Sequence, residues 1–503
     1  MILLGIDAGT TALKCAAFDS AGKTLAVSTR EYSLLTPRVN FVEVPVETYW
    51  TALKAGLAEL REQYDFSGSD IALSFSAQGE TLICLDREGR VLRNAIVWLD
   101  NRAAEEAAAL KRRFGDRACF DVTGQVSFEP CWPASKILWL RNNEPGVFAG
   151  TAKFLLVEDY LIYRMTGRYV TEGSLVCSST YWNIVTKKYW PEMLEFLGIR
   201  EDQLPEVLES GVLVGSMSDA VRAKLGFSGR VLVSTGALDQ AAGALGAGNV
   251  RQGMFSAAIG AAVAFCVPLD RPGFDPNRKM PLHYFAIPGM YMIHTFTNGG
   301  MTLRWFRDRF CDAEMGAEKA GAGGSYYLID REVEKVPPGS DGLVMLPHLS
   351  GSLAPDVNAK AKGVWFGFTL AHTRAHFARA IMESLGYIMR RNIDALSRMG
   401  IEVSEVRALG GGSHSRVWNQ IQADINRVRV VTMASREAPC LGAAILAGRG
   451  AGIFSDVADA LSGMAAVQDT FEPNPKNEEV YAEGYAMYKK LFKDLAECFE
   501  KTT

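Results

Sequence analysis

The chain has 503 residues, 48% of them hydrophobic and 22% charged, with a net charge of −4, a balance that suits a water-soluble globular protein of two domains and gives no reason to expect nucleic acid or an anionic membrane as partner. No apolar run reaches the length of a membrane span, and the apolar start Met1 to Ile6 stops at Asp7, too soon for a signal-peptide core, so cytoplasm is the default location. Nine cysteines, an odd number with no C-x-x-C pair, argue against a disulfide framework or zinc site and read as small core residues.

Residues 2–7, 12–19 and 24–30 read as three short strands of a meander. Between the first two lies Asp7-Ala8-Gly9-Thr10-Thr11-Ala12-Leu13-Lys14: a carboxylate at a strand end, a glycine, two hydroxyls and a cation. Glycine lets backbone approach an anion, successive N–H groups and hydroxyls donate to it, and Asp7 suits Mg²⁺. The plain alternative is a hairpin with a glycine turn. Pro45 then opens a helix whose apolar stripe is Val46, Tyr49, Trp50, Leu53, Leu57, Leu60 and Tyr64. Strands follow at Ile71 to Phe75, Leu82 to Leu85 and Ala95 to Leu99.

Ser76-Ala77-Gln78-Gly79-Glu80-Thr81, with Trp98, Asp100, Asn101 and Arg102 downstream, gathers amide, carboxylate and guanidinium groups near an aromatic face. Such groups suit a polyhydroxylated ligand; a surface loop is the alternative. Ser234 to Gln240 follows the strand Val231 to Val233 and precedes a small-residue helix, Ala241 to Ala247. Asp239 there is either a helix cap or a base that takes a proton from a substrate hydroxyl.

The chain restarts near residue 253: Gly253 to Ile259, then Gly260-Ala261-Ala262, then Val263 to Val267, again strand, glycine-containing tip, strand. Two domains of like plan, 1–248 and 249–503, would grip a phosphate chain from both sides of a cleft. Stretches 270–280, 312–325 and 335–342 read as surface loops. A helix runs from about His376 to Met399, closed by Gly400. His372 and His376 have metal-ligand spacing but no third ligand, so surface or packing roles are expected. Gly410-Gly411-Gly412-Ser413, after Val406 to Leu409 and before a helix with Trp418 and Ile421, offers bare backbone to a flat ligand such as adenosine, or a tight turn. No Walker loop is present, since position 17 is alanine where the motif around Gly22-Lys23-Thr24 needs glycine.

Together these stretches resemble the FGGY carbohydrate kinase family, of α/β class on the two-domain actin/hexokinase-like (ribonuclease H-like) fold with a central interdomain cleft. The resemblance covers roughly the first nine-tenths of the chain and includes Pro133-Ala134-Ser135-Lys136-Ile137-Leu138-Trp139-Leu140, and Gly363-Val364-Trp365-Phe366-Gly367 continuing to Glu383. It is most similar to the xylulokinase branch. The resemblance implies ATP-dependent phosphorylation of a small ketose or polyol, D-xylulose first, with L-xylulose, erythritol, glycerol or gluconate as alternatives, and a weak sugar- or nucleotide-binding sensor as the non-catalytic one. It implies Asp239 as catalytic base. It implies Gly9, Thr10, Thr11, Lys14, Gly260, Gly411 and Gly412 around ATP, Asp7 at Mg²⁺, and Gln78, Gly79, Glu80, Trp98, Arg102, Asp239 and Gln240 around the sugar. Small molecules are the expected partners, and assembly is left open, a homodimer among the options. Two departures stand out. Gln78-Gly79-Glu80 replaces the branch's usual Met-His-Gly. It is similar to kinases for L-xylulose and four-carbon polyols, and Glu80 resembles the acidic contact of glycerol kinases. Ala261 stands where the second phosphate loop usually has threonine, a loss of one hydroxyl worth about 0.5–1.5 kcal/mol.

Overall fold

The N-terminal meander forms as its pattern predicts: β1 (Ile2–Ala8), β2 (Ala12–Phe18) and β3 (Thr24–Glu31) pair antiparallel. The computed structural model describes residues 1–260 and 262–501, so Ala261 lies outside the described residues. Helix α1 (Glu47–Gln63) starts two residues after Pro45. The chain cannot turn helical at Pro45 because Glu43 and Val44 are still extended and pair with Ile96 and Ala95. The α1 stripe buries Tyr49, Trp50, Leu53, Leu57 and Leu60 against the first sheet, while Tyr64, past the helix end, is exposed.

β4 (Ile71–Ala77) runs parallel to β1. Further strands complete a mixed sheet: β5 (Leu213–Ser216), β6 (Val231–Ser234) and β7 (Ala237–Leu238) give the order β5-β6-β4-β1-β2-β3, with β7 also paired to β4. Between β4 and β5 the chain builds a mostly helical cap that includes α2 (Val157–Thr166). The strand expected over Ala95 to Leu99 is only Ala95–Ile96, because a turn from Val97 to Asp100 cuts it short. Helix α3 (Asp239–Gly246) leaves the first sheet.

The second half repeats the plan. β8 (Met254–Ile259), β9 (Ala262–Leu269), β10 (Leu282–Tyr284) and β11 (Tyr291–Asn298) are antiparallel neighbours, followed by α4 (Arg374–Arg398), β12 (Glu405–Leu409), α5 (Arg416–Asn426), β13 (Arg429–Met433), α6 (Ala438–Gly450) and β14 (Val467–Phe471). The order is β10-β11-β9-β8-β12-β13-β14, with β8, β12 and β13 parallel. The strands β1, β2, β3, β4 and β6 thus have counterparts in β8, β9, β11, β12 and β13. The stretch 312–325, expected to be a loop, contains a helix over Asp312–Lys319. Its Ala, Glu and Lys residues are good helix formers, and only Glu314 of it is buried, so no apolar stripe announces it.

The halves meet along α6, which lies on α3 and β1. The contact is backbone to backbone: a Cβ on Gly442 would fall 1.9 Å from Ala242 O, one on Gly246 1.9 Å from Ala438 O, and one on Gly5 1.8 Å from Cys440 O. Seven cysteines are buried, as expected of core residues. Among the described residues no helix is long and apolar enough to cross a membrane.

Candidate active site in the interdomain cleft

A cleft of about 960 Å³ opens between the two sheets, lined by the tip of the β1–β2 hairpin, the start of α3, the glycines after β12 and the start of α6. The first hairpin closes its tip with Gly9 N donating to Ala12 O (3.0 Å). Asp7 is the last residue but one of β1, where Ser76 Oγ donates to its Oδ1 (2.7 Å). Burial pushes the Asp7 carboxyl up; Ser76 and Lys14 pull against it, and Glu437 adds to it. Lys14 sits opposite Asp7 on β2 and reaches across the cleft to Glu437 Oε2 (2.5 Å). Burial pulls the Lys14 ammonium down, but Glu437 and Asp7 hold it above the usual lysine value.

The turn after Gly9 is held from the domain side. Tyr32 OH and Gln78 Nε2 (2.9 Å) both donate to Gly9 O, and Trp98 Nε1 donates to Thr10 Oγ1 (2.8 Å). Thr11 is exposed, and its carbonyl accepts from Tyr32 N. Gln78 is itself buried, with Nε2 shared between Gly9 O and Tyr49 OH (3.1 Å) and Oε1 accepting from Thr81 Oγ1 (3.1 Å).

Asp239 is the first residue of α3. The cap position belongs to Leu238, which makes no side-chain cap bond. The carboxylate therefore does not serve as the helix cap; its Oδ1 accepts from Gln240 N (2.7 Å), and both residues line the cleft. Burial pushes Asp239 up to about 8, and the charges of Asp7 and Glu80 push the same way. Gly236 enters this segment so close to β4 that a Cβ would lie 1.9 Å from Phe75 O. Gly79 lies under Leu238 in the same way, its added Cβ 2.9 Å from Leu238 Cδ1. Next to it, Glu80 takes a left-handed backbone conformation (φ 56°). Burial raises its carboxyl, eased by Ser178 and Lys136.

Arg102 sits in a different network. Its side chain is buried, bonded to both oxygens of Asp100 and to Glu43 (2.8 Å), with its guanidinium 3.9 Å above the Phe41 ring. Its Nη1 has no hydrogen-bond partner among the described residues. In the second half, Gly410 adopts φ 72°, and an added Cβ would meet Ile259 O at 2.8 Å. Gly411 faces open space in the cleft, and a Cβ on Gly412 would press on Ile259 (2.8 Å) and Trp418 (3.4 Å). Gly260 closes the second tip with a bond from its N–H to Ala262 O (2.9 Å) and is exposed. His376 is used locally: Thr373 N donates to its Nδ1 (3.1 Å), and Asp341 lies 3.1 Å from its Nε2.

Two groups beside the cleft carry no local sequence signal. Glu437 meets Lys14 across 423 residues of chain; only Pro439, inside the first turn of α6, marks its neighbourhood as a helix start. Lys136, fully buried, donates to Glu80 O (2.7 Å), Val97 O (3.0 Å) and Ile96 O (3.4 Å), so one ammonium pins the loops that carry Glu80 and Trp98. Burial lowers it to about 8 against the pull of nearby acids. A lysine directly before the apolar run Ile137-Leu138-Trp139, within the stretch 133–140 that carries the family resemblance, was the available hint.

Comparison with known proteins agrees with the two-sheet plan. Residues 2–246 match the N-terminal domain of the FGGY family of carbohydrate kinases, and residues 275–451 match its C-terminal domain. The xylulose kinase of Bacillus subtilis (strain 168) is 31% identical over 500 residues, covering 98% of this chain and 97% of that protein. A gluconokinase of Bacillus licheniformis is 29% identical over 499 residues, covering 99% and 96%. The crystal structure of ligand-bound xylulose kinase from Lactobacillus acidophilus superposes with a TM-score of 0.91 at 26% identity, covering 100% of both chains.

Proposed function

The chain belongs to the FGGY family of carbohydrate kinases and is a phosphotransferase, and from that premise we propose that it transfers the γ-phosphoryl group of ATP to a hydroxyl of a small neutral ketose or polyol, D-xylulose first. The observation that carries the reading is the position of Asp239: a carboxylate at the start of α3, in the cleft, facing the charges of Asp7 and Glu80 and raised by burial to about 8. A base with a value near the working pH can take a proton from an alcohol as the alcohol attacks.

The division of labour follows the two sheets, residues 1–248 against 249–503. Gly411 and Gly412 offer bare backbone to adenosine. Thr10 and Thr11 offer N–H groups and hydroxyls to the phosphates, Gly9 and Gly260 shape the tips that let backbone approach them, and Lys14 offers its charge once it leaves Glu437. Asp7 is a hard oxygen donor at a strand end beside that charge, and such a donor suits Mg²⁺. When bound, Mg²⁺ neutralises phosphate charge. Glu80 and Gln240 hold sugar hydroxyls beside Asp239. Gly79 lets that loop lie against Leu238, Gln78 and Trp98 hold the Gly9–Thr10 turn that forms the wall, and Arg102 stiffens the loop behind it.

Charge favours a neutral substrate over an aldonate such as gluconate. Asp7 and Glu80 raise the cost of a further carboxylate, while the nearby ammonium of Lys136 is already used on three carbonyls. A coupled assay of ADP release with D-xylulose, L-xylulose, erythritol, glycerol and gluconate tests this. Release that depends on a neutral sugar supports the reading; release with gluconate alone overturns it.

A further inference from the structure

The segment that carries Asp239 is braced from behind by groups that lie outside the cleft. β7 pairs on one side with β4, Ala237 opposite Ser76 and Leu238 opposite Ala77. Two amides of this segment are taken instead by side chains of the cap. Gly236 N donates to Glu158 Oε1 (2.7 Å), and Leu238 N donates to Ser174 Oγ (3.0 Å). Ser174 Oγ in turn donates to Glu172 Oε1 (2.8 Å). The two oxygens of Glu172 also accept from Ser174 N (2.6 Å), Leu175 N (2.5 Å) and Ser210 Oγ (2.7 Å). Glu158, Ser174 and Glu172 are all 0% exposed.

An amide at a strand edge needs an acceptor, but a hydroxyl or a carbonyl would serve. Here the acceptors rest on two acids buried close enough for their charges to repel, an arrangement that packing alone does not require. What it supplies is rigidity. Glu172 is held by four donors, so Ser174 has no freedom to rotate, and the amides at 236 and 238 are fixed on either side of one residue. Asp239 follows directly. A small rotation about Leu238 would swing its carboxylate away from a hydroxyl that must be met within hydrogen-bond reach.

We propose that Glu158 and Ser174 are positioning residues for phosphoryl transfer: by gripping the amides of Gly236 and Leu238 they set the carboxylate of Asp239 against the attacking hydroxyl, and they touch neither substrate. The inference rests on the reading of Asp239 as the base. Three variants test it. Glu158→Gln keeps an oxygen for Gly236, Glu158→Met fills similar space without an acceptor, and Ser174→Ala removes the acceptor of Leu238. With the sugar that gives turnover, Glu158→Met and Ser174→Ala lower kcat about tenfold, while sugar KM and the Kd for ADP stay within about twofold and Glu158→Gln behaves as wild type. Amide exchange in a peptide covering residues 236–240 speeds up in the same two variants only. Unchanged kcat and exchange in both would overturn the proposal. So would a joint loss of kcat, sugar KM and ADP affinity, which marks a merely structural role. If Glu158→Met fails to fold, Ser174→Ala decides alone. If Asp239→Asn turns over normally, the base reading fails, and exchange still judges the brace.

Discussion

The two hairpins that contribute to the cleft walls share a backbone and differ in chemistry. Gly9 and Gly260 each close a tip with a bond back to Ala12 or Ala262. Asp7 and Lys14 face each other on the first hairpin. The equivalent register positions on the second are Ala258 and Ala264, which also line the cleft. Beyond Asp7, the parallel neighbour is Ser76; beyond Ala258 it is Leu409, followed by three glycines. A repeated frame has thus been loaded with charge on one side and stripped to backbone on the other. On the reading proposed above, the first half moves a proton and holds a metal, and the second binds a flat ligand and a phosphate through its main chain.

The sharpest way to break that comparison is Asp239→Asn, which keeps shape and removes the proposed base of the charged half. Turnover falls by about 10²–10⁴-fold, while ADP titrated calorimetrically binds with Kd within a few fold of wild type, since the proposed nucleotide site rests mainly on the other half. Equal losses of both would mean that the halves do not divide the work. The next effect is smaller. Lys14→Met removes a charge-assisted contact and weakens ADP by about tenfold or more. Glu437→Gln acts in the opposite direction: it frees Lys14 from its partner and tightens metal-free ADP by about threefold, since the pair is partly exposed and exposed pairs are weak. Identical signs in the two variants would show that the ion pair does not compete with phosphate.

Buried ionisable groups differ in emphasis between the halves, although the second also holds the raised acids Asp330 and Glu383 and the first the lowered Lys136. The first half holds Asp159 and Glu172, raised by burial to about 7, and Asp239, raised to about 8. The second holds His294 and His348, lowered by burial to about 4, and His283, pushed well below the histidine range by burial and by His294. Between pH 8 and the usual carboxylate range, the folded acids keep protons that the unfolded chain has released, so their contribution to stability falls as pH rises. The histidines act mainly below about 6.5, where the unfolded chain takes protons that the folded one refuses. From pH 8 down to 6.5 the gain from the three acids outweighs the smaller opposing effect of Lys136, lowered by burial to about 8, and of the unfolded histidines, and the melting midpoint rises by about 2–4 °C. Asp239→Asn, neutral throughout, reduces that rise. Scanning calorimetry across the window checks the sign; a midpoint that falls would break that contrast.

Much of this plan was legible because it is local. Short apolar runs and glycine tips gave the meander and its repeat within a residue or two, and the stretch from His376 to Gly400 gave a long helix. What failed was set by neighbours in space. Pro45 waits two residues for its helix because Glu43 and Val44 are pinned to a strand about fifty residues on. The helix over Asp312–Lys319 buries too little to leave a stripe. In the site, the residues that face the cleft sit beside glycines and strand ends and could be found. Those that orient them could not: Glu437 is 423 residues from Lys14, Lys136 is 56 from Glu80, and Glu158 is 78 from Gly236. An ion pair or a brace between distant segments leaves no spacing to read.

The smallest change tests whether the bare tip is bare by necessity. Ala261→Thr returns a hydroxyl to the second half at the position that follows Gly260 in sequence. If that half binds phosphate through main-chain donors and has room for one more, the variant tightens ADP in line with a single neutral hydrogen bond, about 0.5–1.5 kcal/mol, or roughly two- to twelvefold in Kd. Turnover then changes little, because the proton is moved from the other side. If affinity is unchanged, the tip does not reach the phosphates and the grip is one-sided. If turnover rises as much as affinity, the hydroxyl acts on the transferred group itself, and the contrast between a chemical half and a binding half would have to be redrawn.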